Sequence, residues 1–185
     1  LMALQKLNTL HWHLTDDEAF RIALTDYPQL STIGATSGYG KPLINMRIVD
    51  RNLDLATSKD NQQYISVDSI YHGSYSAQEI RQLINYANAR QITIIPEIDI
   101  PGHSRAMMKA MPNSFYDPQD KSLYGGYGDD TLPVCSYNQN TPLGINFTRD
   151  INTIVKQVSD LFNQQTTLYS VNNEISIGGD EVNKN

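Results

Sequence analysis

Two acids side by side, Asp180 and Glu181, follow Gly178 and Gly179 near the end of the 185 residues. Glycine lets a backbone turn sharply, so both carboxylates can stand exposed at the end of the strand before them. In glycoside cleavage one acid must keep its proton for the leaving oxygen, and a neighbouring anion raises its pKa toward that task. Two acids in unequal environments meet that need, although exposed acid pairs also occur without chemistry. His103 stands in Pro101-Gly102-His103-Ser104, after Glu97 and Asp99. A histidine just beyond a buried strand faces a site formed there; the plainer alternative is a surface or structural residue. His11 and His13 flank Trp12, and at alternate strand positions they point to one side and could hold a divalent metal. A metal-dependent hydrolase needs further histidines and an aspartate at later strand ends, and only His72 and His103 remain. Packing, or support of neighbouring groups, is therefore the favoured reading of His11 and His13. Asp16 and Asp17 follow Thr15 and fit a helix cap or turn as well as a site.

The elements that must position these groups are legible in part. Thr9 to Leu14 alternates polar and apolar residues after a short helix-like run, Met2 to Leu7, and reads as a strand. Phe20 to Leu24 is a second strand candidate, ended by the Tyr27-Pro28 step that resists helix. Residues 31 to 75, with Gly34, Gly38, Gly40, Pro42 and Gly73, read as an extended loop. Ser76 and Glu79 have capping-box spacing, and Ile80, Leu83, Ile84 and Ala87 recur at helical intervals behind them. Ile92 to Ile95, bounded by Pro96, suits a strand buried on both faces and parallel to the first. Pro101 to about Gly144 reads as irregular; Ile151, Ile154, Val155, Val158, Leu161 and Phe162 then share one helical face. Glu174 to Gly178 closes the series as a short strand.

About four strands alternating with helices form parallel βα units, the α/β pattern of a barrel or a doubly wound sheet. Right-handed crossovers gather the strand C-terminal ends on one face. His11, His13, Asp16, Asp17, His103, Asp180 and Glu181 all lie at or just beyond such ends.

Composition narrows the classes. Lys plus Arg is 14 against Asp plus Glu at 20, a net charge of -6 with no basic run, which argues against a nucleic-acid partner. The single cysteine, Cys135, cannot form an internal disulfide. No stretch approaches the roughly 20 apolar residues that span a bilayer, and the first residues lack a signal-peptide pattern. Asn146-Phe147-Thr148 matches a glycosylation triplet, and Thr148 reads equally as a helix cap. The length suits one domain but falls short of a complete barrel of about 250 residues; both ends read as cut.

Three blocks together resemble the signatures of the family 20 β-N-acetylhexosaminidases. They are His11-Trp12-His13-Leu14-Thr15-Asp16-Asp17-Glu18-Ala19-Phe20-Arg21-Ile22, Ile95-Pro96-Glu97-Ile98-Asp99-Ile100-Pro101-Gly102-His103-Ser104 and Gly178-Gly179-Asp180-Glu181-Val182. The helix beginning Tyr75-Ser76 is also similar, so the resemblance spans nearly the whole chain, weakest in the two long loops. It implies the N-terminal half of a (β/α)8 barrel, about the first four βα units. It also implies retaining hydrolysis of terminal β-linked N-acetylglucosamine or N-acetylgalactosamine by substrate-assisted catalysis. By resemblance Glu181 is the general acid, and Asp180 binds the 2-acetamido group and stabilises an oxazolinium-like intermediate. Asp16 and His103 match the pair that contacts the acid, His103 also facing substrate. Neither metal nor cofactor is implied, and members are often periplasmic, secreted or lysosomal. Phe20 stands where many members have tryptophan. The pocket-closing residues of the second barrel half and an upstream arginine are not among these residues, so the chain by itself is expected to be inactive and poorly folded. The competing expectations are a metal-dependent barrel hydrolase using His11 and His13, and a non-catalytic sugar-binding remnant.

Overall fold

The computed structural model describes residues 1–38, 70–116, 131–134, 138, 140–163 and 174–179. Strand β1, Thr9–His13, lies parallel to a strand of Thr93–Glu97, with Thr9 opposite Thr93 and His13 opposite Glu97. Beyond the latter strand, Ser176 forms a parallel bridge with Glu97. Its N–H donates to the Pro96 carbonyl (2.9 Å), and its own carbonyl accepts from Ile98 N–H (3.0 Å). The expected parallel pairing of the first and later strands is therefore observed. Pro96 lies inside its strand rather than bounding it. Having no N–H to give toward the third segment, it leaves the pairing there to begin at Glu97 and Ser176.

The segment after β1 departs from expectation. Thr15–Asp16 (β2) and Ala19–Phe20 (β3) form an antiparallel hairpin, and Ile22 makes only a single bridge, to Tyr75. Phe20 to Leu24 is thus no continuous strand: Phe20, Ile22 and Leu24 are all buried, because this stretch folds back into the core beneath the strand ends. Among the described residues three parallel segments stand where about four strands were counted. Pro28 opens helix α1, Pro28–Thr32, its fixed φ and missing N–H suiting a first helical position. Within the expected long loop, Thr36–Gly38 (β4) pairs antiparallel with Ile70–His72 (β5). The helix-like start is a 3-10 turn, Ala3–Gln5, ended by Lys6 at φ 57°.

Helix α2, Ala77–Asn88, carries the expected capping box: Ser76 accepts from the Glu79 N–H and Glu79 reaches back to the Ser76 N–H. Its buried residues are Ile80, Ile84 and Ala87, packed against the second parallel strand, β6 (Thr93–Glu97). In the stretch read as irregular, two short helices form, α3 (Arg105–Ala110) and α4 (Pro112–Phe115). They bury Met107, Met108, Met111 and Phe115; runs of six and four residues are too short to show a helical period. Helix α5, Pro142–Phe162, buries Ile154, Val158, Leu161 and Phe162 and packs on α2, α4 and β6. Each fully buried Ile or Val of this face contributes about 1.5–3 kcal/mol. Its cap is Thr141, which accepts from Gly144 N–H, not Thr148, whose hydroxyl donates to the Gly144 carbonyl inside the helix. Asn146 of the glycosylation triplet lies in the same helix, its amide donating to the Asn113 carbonyl.

The helices cover one face of the strands. Leu10 and Trp12 point into it, Trp12 meeting Tyr75 and Phe162 edge to face at 4.9 and 6.4 Å. β6 alternates, with Ile94 and Pro96 buried and Thr93, Ile95 and Glu97 only partly so. The expected burial on both faces is not found, because the second face carries the polar side chains His11, His13 and Glu97. Cys135 lies outside the described residues. No helix among the described residues is long and apolar enough to cross a membrane.

Candidate active site

Parallel register brings the chemistry-bearing residues to one end. His13 stands directly opposite Glu97, and the two histidines of β1 take one oxygen each of that carboxylate. His11 Nε2 lies 2.7 Å from Oε2 and His13 Nδ1 2.5 Å from Oε1. The Ser176 hydroxyl donates to Oε2 at 2.6 Å, so Glu97 ties all three parallel segments together. Burial alone would push its carboxyl up, but the Ser176 and His13 hydrogen bonds and the charges of His11 and His13 hold it below the ordinary carboxylate range. Burial likewise disfavours charge on His13, yet hydrogen bonds to Glu97 and Asp16, and the charges of both, hold its imidazole above 6.5.

The β2–β3 hairpin presents the next acids. Asp16 Oδ2 is 3.1 Å from His13 Nε2, and Asp16 Oδ1 accepts the Asp17 N–H at 2.6 Å. His103 Nδ1 lies 3.3 Å from Asp17 Oδ2 and 3.6 Å from Asp16 Oδ1. The structure brings Asp16 and His103 together, with Asp17 the nearer acid to the imidazole. Asp17 also accepts the Arg105 N–H at the start of α3. His103 has φ 50°, a left-handed conformation that costs a non-glycine residue about 1–3 kcal/mol and persists only where its surroundings impose it. Arg21 of the first signature block is a structural tie: its guanidinium donates to the Ala35 and Gly73 carbonyls.

Asp99 leads toward the remaining acids. Its N–H donates to Thr15 Oγ1 (2.8 Å) and its carbonyl accepts from Ser104 Oγ (3.1 Å). Gly178, at φ +62°, passes so close that a Cβ there would stand 2.1 Å from Asp99 Oδ1. Only glycine fits. Gly179 follows at φ +86°, and Asp180 and Glu181 come next in sequence; both lie outside the described residues.

His11 and His13 are not buried in a core: their side chains are 55% and 46% exposed, and they face Glu97, His13 as a hydrogen-bond partner and His11 as a close ion-pair contact. Ligand-type atoms of His13, Glu97 and Asp99, and of Asp16, Asp17 and His103, lie within 4.8 Å in each group. The close contacts of His13 are hydrogen bonds that occupy both ring nitrogens with carboxylates. His72, on β5, is turned to the carbonyl of Ser31 in α1 at 3.0 Å. Glu97 is the residue that sequence reasoning passed over as a site member; Asp17, weighed there with Asp16, proves the nearer of the two to His103. The signal for Glu97 was its two-residue spacing from Ile95, which becomes informative only once the register against His11 and His13 is known.

Parallel strands backed by helices, with imidazoles and carboxylates gathered at the strand C-terminal ends, define an α/β domain with an acid–base cluster. The sequence profile described as "Glycosyl hydrolase family 20, catalytic domain" matches residues 1–185, and the chain belongs to that family. It is 38% identical over 183 residues to a beta-hexosaminidase of Vibrio furnissii, covering 98% of this chain and 25% of that protein. An N,N'-diacetylchitobiase of Vibrio harveyi is 34% identical over 110 residues, 60% of this chain and 11% of that protein. Among solved structures, a GH20 exo beta-N-acetylglucosaminidase from Vibrio harveyi in complex with N-acetylglucosamine superposes with TM-score 0.64 at 34% identity. That match covers 87% of this chain and 22% of the other. The chain thus spans about a quarter of the length of the Vibrio furnissii relative.

Proposed function

We propose that these residues form the N-terminal half of a (β/α)8 barrel that removes terminal β-linked N-acetylglucosamine or N-acetylgalactosamine with retention. The observation that carries this reading is the family match over residues 1–185, joined to a segment that bridges Glu97 at Ser176 and reaches Gly178–Gly179 beside Asp99, with Asp180 and Glu181 next in line. In the proposed reaction Glu181 gives its proton to the glycosidic oxygen as the bond to the anomeric carbon breaks. The 2-acetamido carbonyl oxygen attacks that carbon from the opposite face and forms an oxazolinium ion. Asp180 accepts the acetamido N–H and offsets the positive charge, a contribution of about 3 kcal/mol for a well-placed group. Glu181 then takes a proton from the water that opens the ring. Asp16 and His103 set the charge state of the acid, and His103 also faces the sugar.

The test is hydrolysis of a chromogenic N-acetylglucosaminide by the complete natural polypeptide that carries these residues. Glu181→Gln and Asp180→Asn should each lower kcat by about 100-fold or more, with the parent insensitive to chelators. Full activity in Glu181→Gln would sink the assignment, and loss of activity on chelation would return the His11/His13 metal reading.

A further inference from the structure

Resting on the proposed function, we infer that His13 and Glu97 are positioning residues of the acid–base site: His13 is an imidazolium clamped between Glu97 and Asp16, and it fixes the orientation of Asp16 beside His103. The geometry carries this. His13 Nδ1 meets Glu97 Oε1 at 2.5 Å and His13 Nε2 meets Asp16 Oδ2 at 3.1 Å. An ionised carboxylate only accepts hydrogen bonds, whereas neutral imidazole has one donor nitrogen; serving a carboxylate on each side takes both N–H groups, which only the imidazolium has.

Glu97 is built to remain the anion in that arrangement. Besides His13 it faces His11 Nε2 at 2.7 Å and accepts the Ser176 hydroxyl at 2.6 Å. Asp16 is pinned at both oxygens, by His13 on Oδ2 and by the Asp17 N–H on Oδ1, and its Oδ1 lies 3.6 Å from His103 Nδ1. The charged groups facing His13 are therefore Glu97 and Asp16, with His11 across Glu97 and the Asp99 carboxylate within 4.8 Å of the same cluster. Arg21 and Glu79 line a cavity together with His13, Trp12 and Tyr75. Carboxylates outnumber cations around the ring, and the raised His13 pKa agrees. A proton on His13 is thus linked to the orientation of Asp16, and through it to His103.

The decisive readout is the nitrogen chemical shifts of His13 followed by NMR against pH in the histidine-labelled complete polypeptide, with Glu97→Gln beside it. His13 should hold both protons at pH 6.5 and titrate above that value. Glu97→Gln should lower its midpoint by about one pH unit or more, the scale of removing an adjacent opposite charge. If Glu97→Gln fails to fold, Asp16→Asn removes the partner of the other nitrogen and should lower the midpoint likewise. A neutral tautomer at pH 6.5, or a midpoint unmoved in the folded variant, overturns the inference. These shifts do not depend on any hydrolytic activity, so they separate this inference from the proposed function. Where activity is present, the alkaline limb of kcat/KM should move to lower pH in Glu97→Gln, and an unmoved limb would refute the link to catalysis.

Discussion

Replacing Gly178 by alanine tests whether the course of the segment that leads to Asp180 and Glu181 is set by Asp99. Two costs combine. At φ +62° an L-residue pays about 1–2 kcal/mol against its usual conformations. The new Cβ would also stand 2.1 Å from Asp99 Oδ1 and 2.7 Å from its Cγ, an overlap whose relief costs about 1–3 kcal/mol. Asp99 cannot step aside easily, because it is buried and its backbone is bonded to Thr15 and Ser104. The sum is about 2–5 kcal/mol, read as a lowered urea midpoint for the complete polypeptide. Gly179→Ala is the control: φ is +86° but no described atom lies within 4 Å of its Cβ, so only the backbone cost remains. In an Asp99→Ala background the Gly178→Ala penalty should shrink toward that same backbone cost, leaving a coupling of about 1–3 kcal/mol. Equal penalties at 178 and 179, or no coupling to Asp99, would refute the steric argument.

Asp150→Ala should destabilise the domain by about 2–3 kcal/mol. The change leaves the Tyr27 and Ser114 hydroxyls without the carboxylate they share, while the largely exposed Arg149 adds little. Burial pushes the Asp150 carboxyl up, but hydrogen bonds from Arg149, Ser114 and Tyr27 hold it below its ordinary 3.8. Its folded pKa is therefore depressed, so its contribution is present above about pH 4 and is lost as pH falls through the folded value. Urea midpoints of parent and Asp150→Ala should accordingly converge toward low pH. Ser76→Ala removes the α2 cap and should cost about 1 kcal/mol, seen as faster amide exchange in the first turn of that helix; unchanged exchange would show that the cap is redundant.

What could be read from the sequence was what repeats. Helix α2 announced itself through Ser76, Glu79 and the spacing of Ile80, Ile84 and Ala87, and the two β-rich runs, Thr9 to Leu14 and Ile92 to Ile95, marked the parallel pair. Asp16 and His103 were recognised from motif blocks and do come together. Helices α3 and α4 escaped because each is shorter than the window in which a 3.6-residue period can be counted. The β4–β5 pair joins residues far apart in the chain, and nothing local in Thr36–Gly38 names Ile70–His72 as its partner. Phe20 to Leu24 misled because apolar residues at alternate positions, Phe20, Ile22 and Leu24, fit any extended buried segment, and this one is a hairpin arm followed by a single bridge. Glu97 was hidden by its neighbours, since its role depends on the residue opposite it in another strand.

That dependence makes packing and chemistry inseparable here. Side chains alternate along β1, so a one-residue slip against β6 would turn His11 and His13 toward the helices and Trp12 toward the site. Trp12 opposes that slip, because its ring is wedged edge-on between Tyr75 and Phe162 on the helix side. Polar contacts oppose it from the other face: Glu97 receives His11, His13 and Ser176, one partner or more from each neighbouring segment. A slipped register would leave Glu97 a partly buried anion without imidazole donors, at the cost of an unpaired charge. The apolar face and the acid–base face therefore select the same alignment. Residues of the apolar face, Trp12 above all, thereby help determine where the polar face places His13 and its partner Asp16.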